Sequence, residues 1–283
     1  MDCRAINQQH MLDRPLPDLA AWVAHFLAAP IPVLASTAEA IEAMRLREDD
    51  VDANLIGEMV AGDPWMTLRV LSHAAANRPP RMLTDTGTVT AAVVMMGIGP
   101  FFRAFNALPS VEDRLQHLDG ASQGMQDVLR RSHRAATFAL AFSVHRMDKD
   151  APLIHQAALL HDFAELLLWC HAPSLALELR DLQRREPTMR SAVAQHQVLG
   201  IELTELQFAL MRAWHLHDLL VKTADERHAL HPSVKTVILA VRIARHSAQS
   251  WENPALADDF AETANLLNLS IPAARQLVLD IGA

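Results

Sequence analysis

Several residue types are scarce in this chain, and each scarcity excludes a class of protein. Only 2 of the 283 residues are cysteine, so a disulfide framework is not expected and the pattern is typical of a reducing cytosol. Cys3 lies near the N-terminus, and Cys170 ends an apolar segment. With 9 glycines and almost no alternation of apolar and polar residues, strands are not expected either.

Long apolar runs and an excess of positive charge are also missing. No stretch reaches the ~18 consecutive apolar residues of a membrane span, because the most apolar run is interrupted by His161, Asp162 and Glu165. The N-terminus has no apolar core of signal-peptide length. We therefore expect a cytoplasmic protein with no membrane contact. The formal net charge is -8 and the basic residues are scattered, so no nucleic-acid partner is expected.

What the chain does contain is a helical pattern along most of its length. Ala and Leu recur at three- and four-residue spacings, which predicts an all-α fold. A first helix is predicted at 18–28. Ser36–Glu39 has the pattern of a capping box, and Asp63–Pro64 is a strong helix start. Another helix should begin near Thr88 or Thr90 and end at Gly97.

The second half is predicted to hold longer helices, the first two at about 126–147 and 153–171. The others are predicted at about 174–185, 189–212, 215–226, 233–250, 255–268 and 272–281. Polar and turn-forming residues between Pro109 and Gly124 suggest a domain boundary. We therefore expect an N-terminal extension over 1–20, an N-terminal helical subdomain over 21–120 and a second helical subdomain over 121–283.

His161 and Asp162 are the adjacent pair best suited to chemistry. A buried Asp is costly unless it is paired or bound to a metal, and an imidazole beside a carboxylate offers two ligands for a divalent cation. Alternatively, the pair only hydrogen-bonds its surroundings and holds helices together. Glu165 follows His161 by one helical turn, so it is predicted to act as a general acid or base, or to pair with His161 or an Arg.

The order of seven segments resembles the HDOD domain, a divergent branch of the HD phosphohydrolase superfamily, over nearly the whole chain. The resemblance implies an N-terminal helical bundle packed on an HD-like helical bundle. The segments are IPVL (31–34), GDPWMTLRVL (62–71), VTAAVVMMGI (89–98), SHRAATFALAF (132–142), ALLHDFAELLLW (158–169), AQHQVLGIELTELQFALMRAW (194–214) and LNLSIPAARQLVLDIG (267–282).

The resemblance also implies a set of site residues. His133, His161 and Asp162 match the family's metal ligands, while His196 and His228 fall where related enzymes often place further histidines. The predicted ligand pocket is therefore His133, His161, Asp162, Glu165, His196 and His228. If a divalent metal binds, its predicted ligands are His133, His161 and Asp162.

The chain departs from the pattern of the active enzymes in three places. Val241 stands where a last Asp is expected, and Ala164–Glu165 replaces the Gly-Lys that often follows the His-Asp pair. No Gly-Tyr-Pro follows His228, so the chain does not resemble an active cyclic-di-GMP phosphodiesterase. The loss of a carboxylate ligand should weaken the binding of a divalent ion. We therefore expect a degenerate active site without catalytic residues or a resident cofactor.

Three functions remain open at this point. The resemblance favours a stand-alone regulatory protein of bacterial signal transduction, which binds signalling proteins or a nucleotide-like ligand. The first alternative is a metal-dependent phosphohydrolase acting on a nucleotide or cyclic dinucleotide, which needs another ligand in place of Val241. The second is a sensor that binds a phosphate-bearing ligand without turnover.

Overall fold

The computed structural model of the protein describes residues 11–78, 87–224, 228 and 230–282. Within these residues the regular structure is helical, with a single β-bridge between Val33 and Ser110, which confirms the predicted all-α fold. None of the described helices is long and apolar enough to cross a membrane. Residues 1–10 of the predicted extension lie outside the described part of the chain.

The first half begins with seven α-helices. Their bounds are α1 (Leu19–Ala28), α2 (Ala35–Arg45), α3 (Ala53–Val60), α4 (Pro64–Ala76), α5 (Val89–Met96), α6 (Ile98–Ala104) and α7 (Val111–Leu115), with a short 3-10 helix at Glu48–Asp50.

The remaining helices follow from α8 onwards. Their bounds are α8 (Asp119–His145), α9 (Ala151–Leu159), α10 (Phe163–His171), α11 (Pro173–Arg185), α12 (Ser191–Leu199), α13 (Leu203–Ala213), α14 (Asp218–Thr223), α15 (Pro232–His246), α16 (Leu256–Leu267) and α17 (Ile271–Ile281).

The chain divides into two compact units that are not continuous in sequence. The first unit contains the described residues of Met1–Val128 and Asp162–Leu216, and the second contains those of Leu129–His161 and His217–Ala283. One division falls inside α8 and another falls between His161 and Asp162. The predicted domains at 1–20, 21–120 and 121–283 stay a prediction.

In the first unit, α2 to α6 surround an apolar core. The helices α3 and α5 approach closely at Gly57, because a Cβ on this residue would overlap the side chain of Thr90. The core is formed by Val33, Ile41, Met44, Val51, Ile56, Val60, Met66, Val70, Ala74, Val89, Ala92, Val93, Phe101, Phe102 and Phe105.

Asp63 connects the starts of two helices. Its Oδ1 accepts a hydrogen bond from the backbone N–H of Met66 at 2.9 Å and caps α4, as the sequence predicts. Its Oδ2 accepts from the N–H of Leu34 at 2.8 Å, immediately before α2. The pKa of Asp63 is raised above its ordinary value, because the effect of burial is larger than the opposing effect of these hydrogen bonds.

The predicted capping box at Ser36–Glu39 is wrong, because α2 already begins at Ala35. The amide of Ala35 donates instead to Glu112 Oε2 at 2.8 Å, so a residue distant in sequence satisfies the first turn. The predicted start and end of α5 are confirmed. Thr88 accepts from the N–H of Ala91 at 3.3 Å, and Gly97 ends the helix with φ +87°.

In the second unit, α9 packs against α14 and α15, and α15 to α17 pack in chain order. The apolar side chains of this core are fully or almost fully buried. They include Phe138, Phe142, Ile154, Val234, Val237, Leu239, Ile243, Phe260, Ala274 and Val278.

Two of the predicted helices are each broken in two. The predicted helix at 189–212 is interrupted after Leu199, where Gly200 adopts a left-handed conformation with φ +74°. The side chain of Gln195 then accepts a hydrogen bond from the N–H of Leu203 at 2.9 Å and supports the start of α13. The predicted helix at 153–171 is interrupted between α9 and α10, at the His-Asp pair itself.

Candidate functional site

His161 and Asp162 lie in a turn, not in the middle of the predicted helix. The amide of His161 donates to the carbonyl of Ala158 at 3.3 Å, which tightens the end of α9. Asp162 has φ -110° and ψ 24°, and its carbonyl accepts from the amide of Glu165 at 3.1 Å as α10 begins. The two side chains therefore belong to the junction between α9 and α10.

The predicted relation between His161 and Glu165 on one helix face is consequently wrong, because α10 begins only at Phe163. Glu165 is half-buried. Its predicted place in the ligand pocket stays a prediction, as do those of the half-buried His161 and the buried Asp162.

The far end of α10 is held within the first unit by a buried polar cluster that the sequence did not reveal. Arg114 on α7 donates from Nε to the carbonyl of Cys170 at 2.5 Å, and its Nη2 lies 3.2 Å from His171 Nδ1. Burial raises the pKa of the Cys170 thiol to about 12, so this cysteine has a structural role and is not a nucleophile.

His133 on α8 has a neighbouring imidazole that the sequence analysis missed. Both His133 and His155, which lies on α9, are half-buried in the second unit. Burial lowers the pKa of His155, and the positive charge of His133 lowers it further. The sequence could have indicated His155 by its position in the apolar segment that leads to His161.

The other two predicted histidines lie near charged residues. His196 is exposed, and its Nε2 is 3.2 Å from Glu202 Oε1, across the break between α12 and α13. His228 is half-buried just before α15 in the second unit. The pKa of Asp218 is lowered mainly by its hydrogen bond to Lys222, with a smaller contribution from the charge of His228.

The two compact units divide the predicted pocket. His133, His161 and His228 belong to the second unit. The other three residues of the predicted pocket belong to the first unit, and they are Asp162, Glu165 and His196. Each unit by itself therefore contains half of the predicted pocket.

The position of the expected last carboxylate is occupied by a core residue. Val241 lies on α15 with 3% of its surface exposed, and its side chain has no atom that could bind a metal. Among the described residues, which include His133, His161 and Asp162, no group of three or more His, Cys, Asp or Glu side chains is arranged to hold a metal ion. Val241 therefore supplies no metal ligand, and the predicted site at His133, His161 and Asp162 stays a prediction.

A buried carboxylate on the next helix contacts basic side chains. Asp259 on α16 is fully buried, and its Oδ1 accepts from Arg242 Nη2 at 2.5 Å. Its Oδ2 lies 2.6 Å from His246 Nδ1. Burial lowers the pKa of Arg242, but its hydrogen bonds and charge interactions with Glu262 and Asp259 outweigh this and raise it. Both carboxylate oxygens of Asp259 are thus engaged by basic side chains.

The family model of the HDOD domain matches residues 31–230, which is well over half of the chain. This chain belongs to the HDOD family. The matched residues of this HDOD protein include all six residues of the predicted pocket. Val241, Arg242 and Asp259 lie beyond the matched residues.

Two solved structures share the fold of this HDOD protein. The MmoQ response regulator from Methylococcus capsulatus has 18% sequence identity and a TM-score of 0.67, and the match covers 89% of this chain and 99% of that one. A virulence factor from Campylobacter jejuni has 16% identity and a TM-score of 0.64, covering 93% and 97% of the two chains. No curated protein matches this HDOD protein in sequence.

Proposed function

We propose that this HDOD protein is a regulatory protein that binds a signalling protein or a phosphate-bearing small ligand and does not hydrolyse it. The observation that carries the proposal is the buried Val241 at the position of the last carboxylate. A hydrolytic metal needs enough anionic ligands to remain bound and to lower the pKa of its water. Replacing a carboxylate by an apolar side chain removes both a ligand and a negative charge.

Two further features support the loss of hydrolysis. Glu165 stands where related enzymes often have Lys, so the charge at this position is reversed. Asp259, the buried acid on the neighbouring helix, is held by Arg242 and His246. Moving Asp259 to a metal would leave Arg242 without its buried partner, and such a separation is costly. The regulatory part of the proposal rests on membership of the HDOD family.

The hydrolysis part of the proposal is tested with protein purified without chelator. We expect less than stoichiometric Zn, Mn, Fe and Ni, and no phosphate release from a panel of nucleotides and cyclic dinucleotides. Stoichiometric metal together with activity that His161→Ala abolishes would establish the phosphohydrolase instead. His117→Ala is the matched control, because His117 is exposed and outside the predicted pocket.

The binding part is tested with the same panel by thermal unfolding. A ligand that binds only the native protein raises the midpoint, by an amount that grows with its concentration above Kd. We expect at least one phosphate-bearing compound to raise the midpoint of the wild type and of His117→Ala, and to have a smaller effect on His133→Ala and His161→Ala. Equal shifts in all four proteins would place the ligand elsewhere.

A further inference from the structure

Helix α4 is buried along most of its length, but it has one narrow polar strip. From Pro64 to Ala74, every residue except Arg69, Ser72 and His73 is buried, and these three are half-buried. They stand at positions i, i+3 and i+4, which lie on the same face of an α-helix. The polar strip of α4, formed by Arg69, Ser72 and His73, is thus an opening to solvent in a buried stretch of helix.

Arg69 is held by one edge of its guanidinium. Its Nη1 donates to the carbonyl of Ile31 at 2.6 Å, two residues before the bridge at Val33. This bond uses one of the five N–H groups of an arginine. Nε and Nη2 form the edge that can bind an oxyanion through two parallel hydrogen bonds, and neither atom bonds another of the described residues. This second edge of Arg69 is therefore available to a ligand.

Within the described part of the chain, no acidic side chain forms an ion pair with Arg69. The half-buried Arg45, Arg146 and Arg180 differ in this respect, because each lies within 3.6 Å of a carboxylate oxygen. Acidic residues are plentiful in the chain, which has 33 of them against 25 basic ones. Burial lowers the pKa of Arg69, and no neighbouring charge raises it. Arg69 is thus a half-buried cation whose charge the described residues do not balance.

His73 places a further donor beside this cation. It follows Arg69 by one helical turn, and the Cβ atoms of such a pair are about 5–6 Å apart. The ring of Phe105 lies edge-on to the imidazole, with the ring centroids 5.3 Å apart. Among the described residues, none hydrogen-bonds a ring nitrogen of His73. Burial lowers the pKa of His73 and the charge of Arg69 lowers it further, so the ring is mainly neutral at about pH 7 and keeps one N–H to donate.

The two basic side chains of the polar strip are anchored to segments that the fold joins. One side chain is held by the backbone of Ile31, and the other contacts the ring of Phe105. The amide of Val33 donates to the carbonyl of Pro109 at 2.9 Å, which links the segment after Ile31 to the segment after Phe105. Both donors are therefore held in place before a ligand arrives, which lowers the entropy cost of binding.

We propose that the polar strip of α4 binds the phosphate group of a small molecule. Nε and Nη2 of Arg69 donate to two phosphate oxygens, and the imidazole N–H of His73 donates to a third. Ser72 takes no part, because its hydroxyl donates to the carbonyl of Arg69 at 3.1 Å. Donors from two side chains one helical turn apart suit a tetrahedral oxyanion, whereas a carboxylate has only two oxygens to accept them.

This site is separate from the predicted pocket. None of the six residues of that pocket belongs to it, and Arg69, His73, Ile31 and Phe105 all lie in the first unit. The site therefore does not depend on the function proposed above. One charged fork and one neutral hydrogen bond, open to solvent on one side, bind weakly, and we expect a Kd for inorganic phosphate of about 1 mM.

NMR titration of the full chain with inorganic phosphate, at constant ionic strength, tests the site. We expect the Arg69 Nε–Hε signal, identified by its loss in Arg69→Gln, to move and to saturate. In His73→Leu, which keeps the bond of Arg69 to Ile31, the Kd should rise about threefold to tenfold through the loss of one neutral hydrogen bond. In Arg69→Gln, the imidazole signals of His73 should report a Kd at least about tenfold higher.

Arg47→Gln is the matched control, because it removes an exposed positive charge from the same unit and should keep the wild-type Kd. Circular dichroism establishes that the variants are folded. An Arg69 signal that phosphate does not move would overturn the site, and so would an unchanged Kd in His73→Leu. Equal weakening in Arg47→Gln and Arg69→Gln would also overturn it, because net charge alone would then explain the effect.

Two further ligands test the chemistry and the source of the phosphate. Acetate should bind at least about threefold more weakly than inorganic phosphate, because it leaves one donor without an acceptor. Equal affinities would overturn the assignment to phosphate. Adenosine monophosphate should move the same Arg69 signal with a Kd no higher than that of inorganic phosphate. Binding of the inorganic ion alone would overturn a site for phosphate-bearing small molecules.

Discussion

Arg242 on α15 donates to the fully buried Asp259 on α16 at 2.5 Å. The late acidic group of this chain thus holds two helices together. His246 approaches the second oxygen of Asp259 at 2.6 Å, and Arg242 also bonds both oxygens of Glu262 at 3.0 Å.

Removing the buried acid of this cluster should destabilise the second unit. Asp259→Ala leaves Arg242 and His246 without their shared partner, and loss of one member of a buried pair typically costs about 3–5 kcal/mol. We expect about 3 kcal/mol, because the Arg242 side chain is 34% exposed and keeps Glu262. Urea unfolding measures the change. Glu262→Ala, at a 42% exposed side chain, should cost less than about 1 kcal/mol, and equal costs would contradict the central role of Asp259.

The thiol of Cys170 should be unreactive in the folded protein. Its pKa of about 12 means that at pH 8 only about one molecule in ten thousand carries the thiolate, and the side chain is fully buried. In a Cys3→Ser protein, in which Cys170 is the only thiol, we expect no reaction with iodoacetamide at pH 8 and complete reaction in urea. Rapid modification of the native protein would show that α10 opens readily at this end.

The neighbouring imidazoles should make stability depend on pH. Burial and the charge of His133 lower the pKa of His155 below 6.5, so the unfolded chain binds more protons than the folded chain in mildly acidic solution. Stability should therefore be lost as the pH falls below about 6.5 towards the lowered pKa. His155→Gln should reduce the slope of unfolding free energy against pH in this range, by at most about 1.4 kcal/mol per pH unit.

A methyl group added at Gly124 on α8 should disturb the packing of α10 in the first unit. A Cβ at Gly124 would overlap the ring of Trp169, which is rigid and almost fully buried. Gly124→Ala should lower the free energy of unfolding by about 1–3 kcal/mol, despite the better helix propensity of alanine. Thermal unfolding measures the change. Gly62→Ala is the control, because a Cβ at Gly62 meets nothing within 4 Å, and a similar loss there would point to a backbone effect.

Helix starts with a local cause could be predicted from the sequence. Asp18, Asp63 and Thr88 each accept a hydrogen bond from an amide three residues later, so the cap and its partner lie in the same short segment. The start of α2 could not be predicted, because its amides are satisfied by Asp63 and by Glu112. The break at His161–Asp162 could not be predicted either, since this segment contains neither Gly nor Pro.

Some features of the candidate site can likewise be read from a single segment, whereas others depend on residues that are distant in the sequence. The sequence contains the His-Asp pair in a recognisable segment, so the family could be predicted, whereas the loss of the last carboxylate at Val241 stays a prediction. The nearness of His155 to His133 depends on how α8 and α9 pack, and no local pattern encodes it. The same is true of Arg114 and Cys170, which are 56 residues apart.

By itself, the sequence determined the all-α class, the family, and the residues available for chemistry, because these depend on residue type and on spacing within single segments. Only the tertiary structure decided that the His-Asp pair lies in a turn, that Asp259 is held by Arg242 and His246, and that Arg69 is held by the backbone of Ile31. These features depend on which helices pack together. The surroundings of a buried charge are its neighbours in space, and those neighbours are distant in the chain.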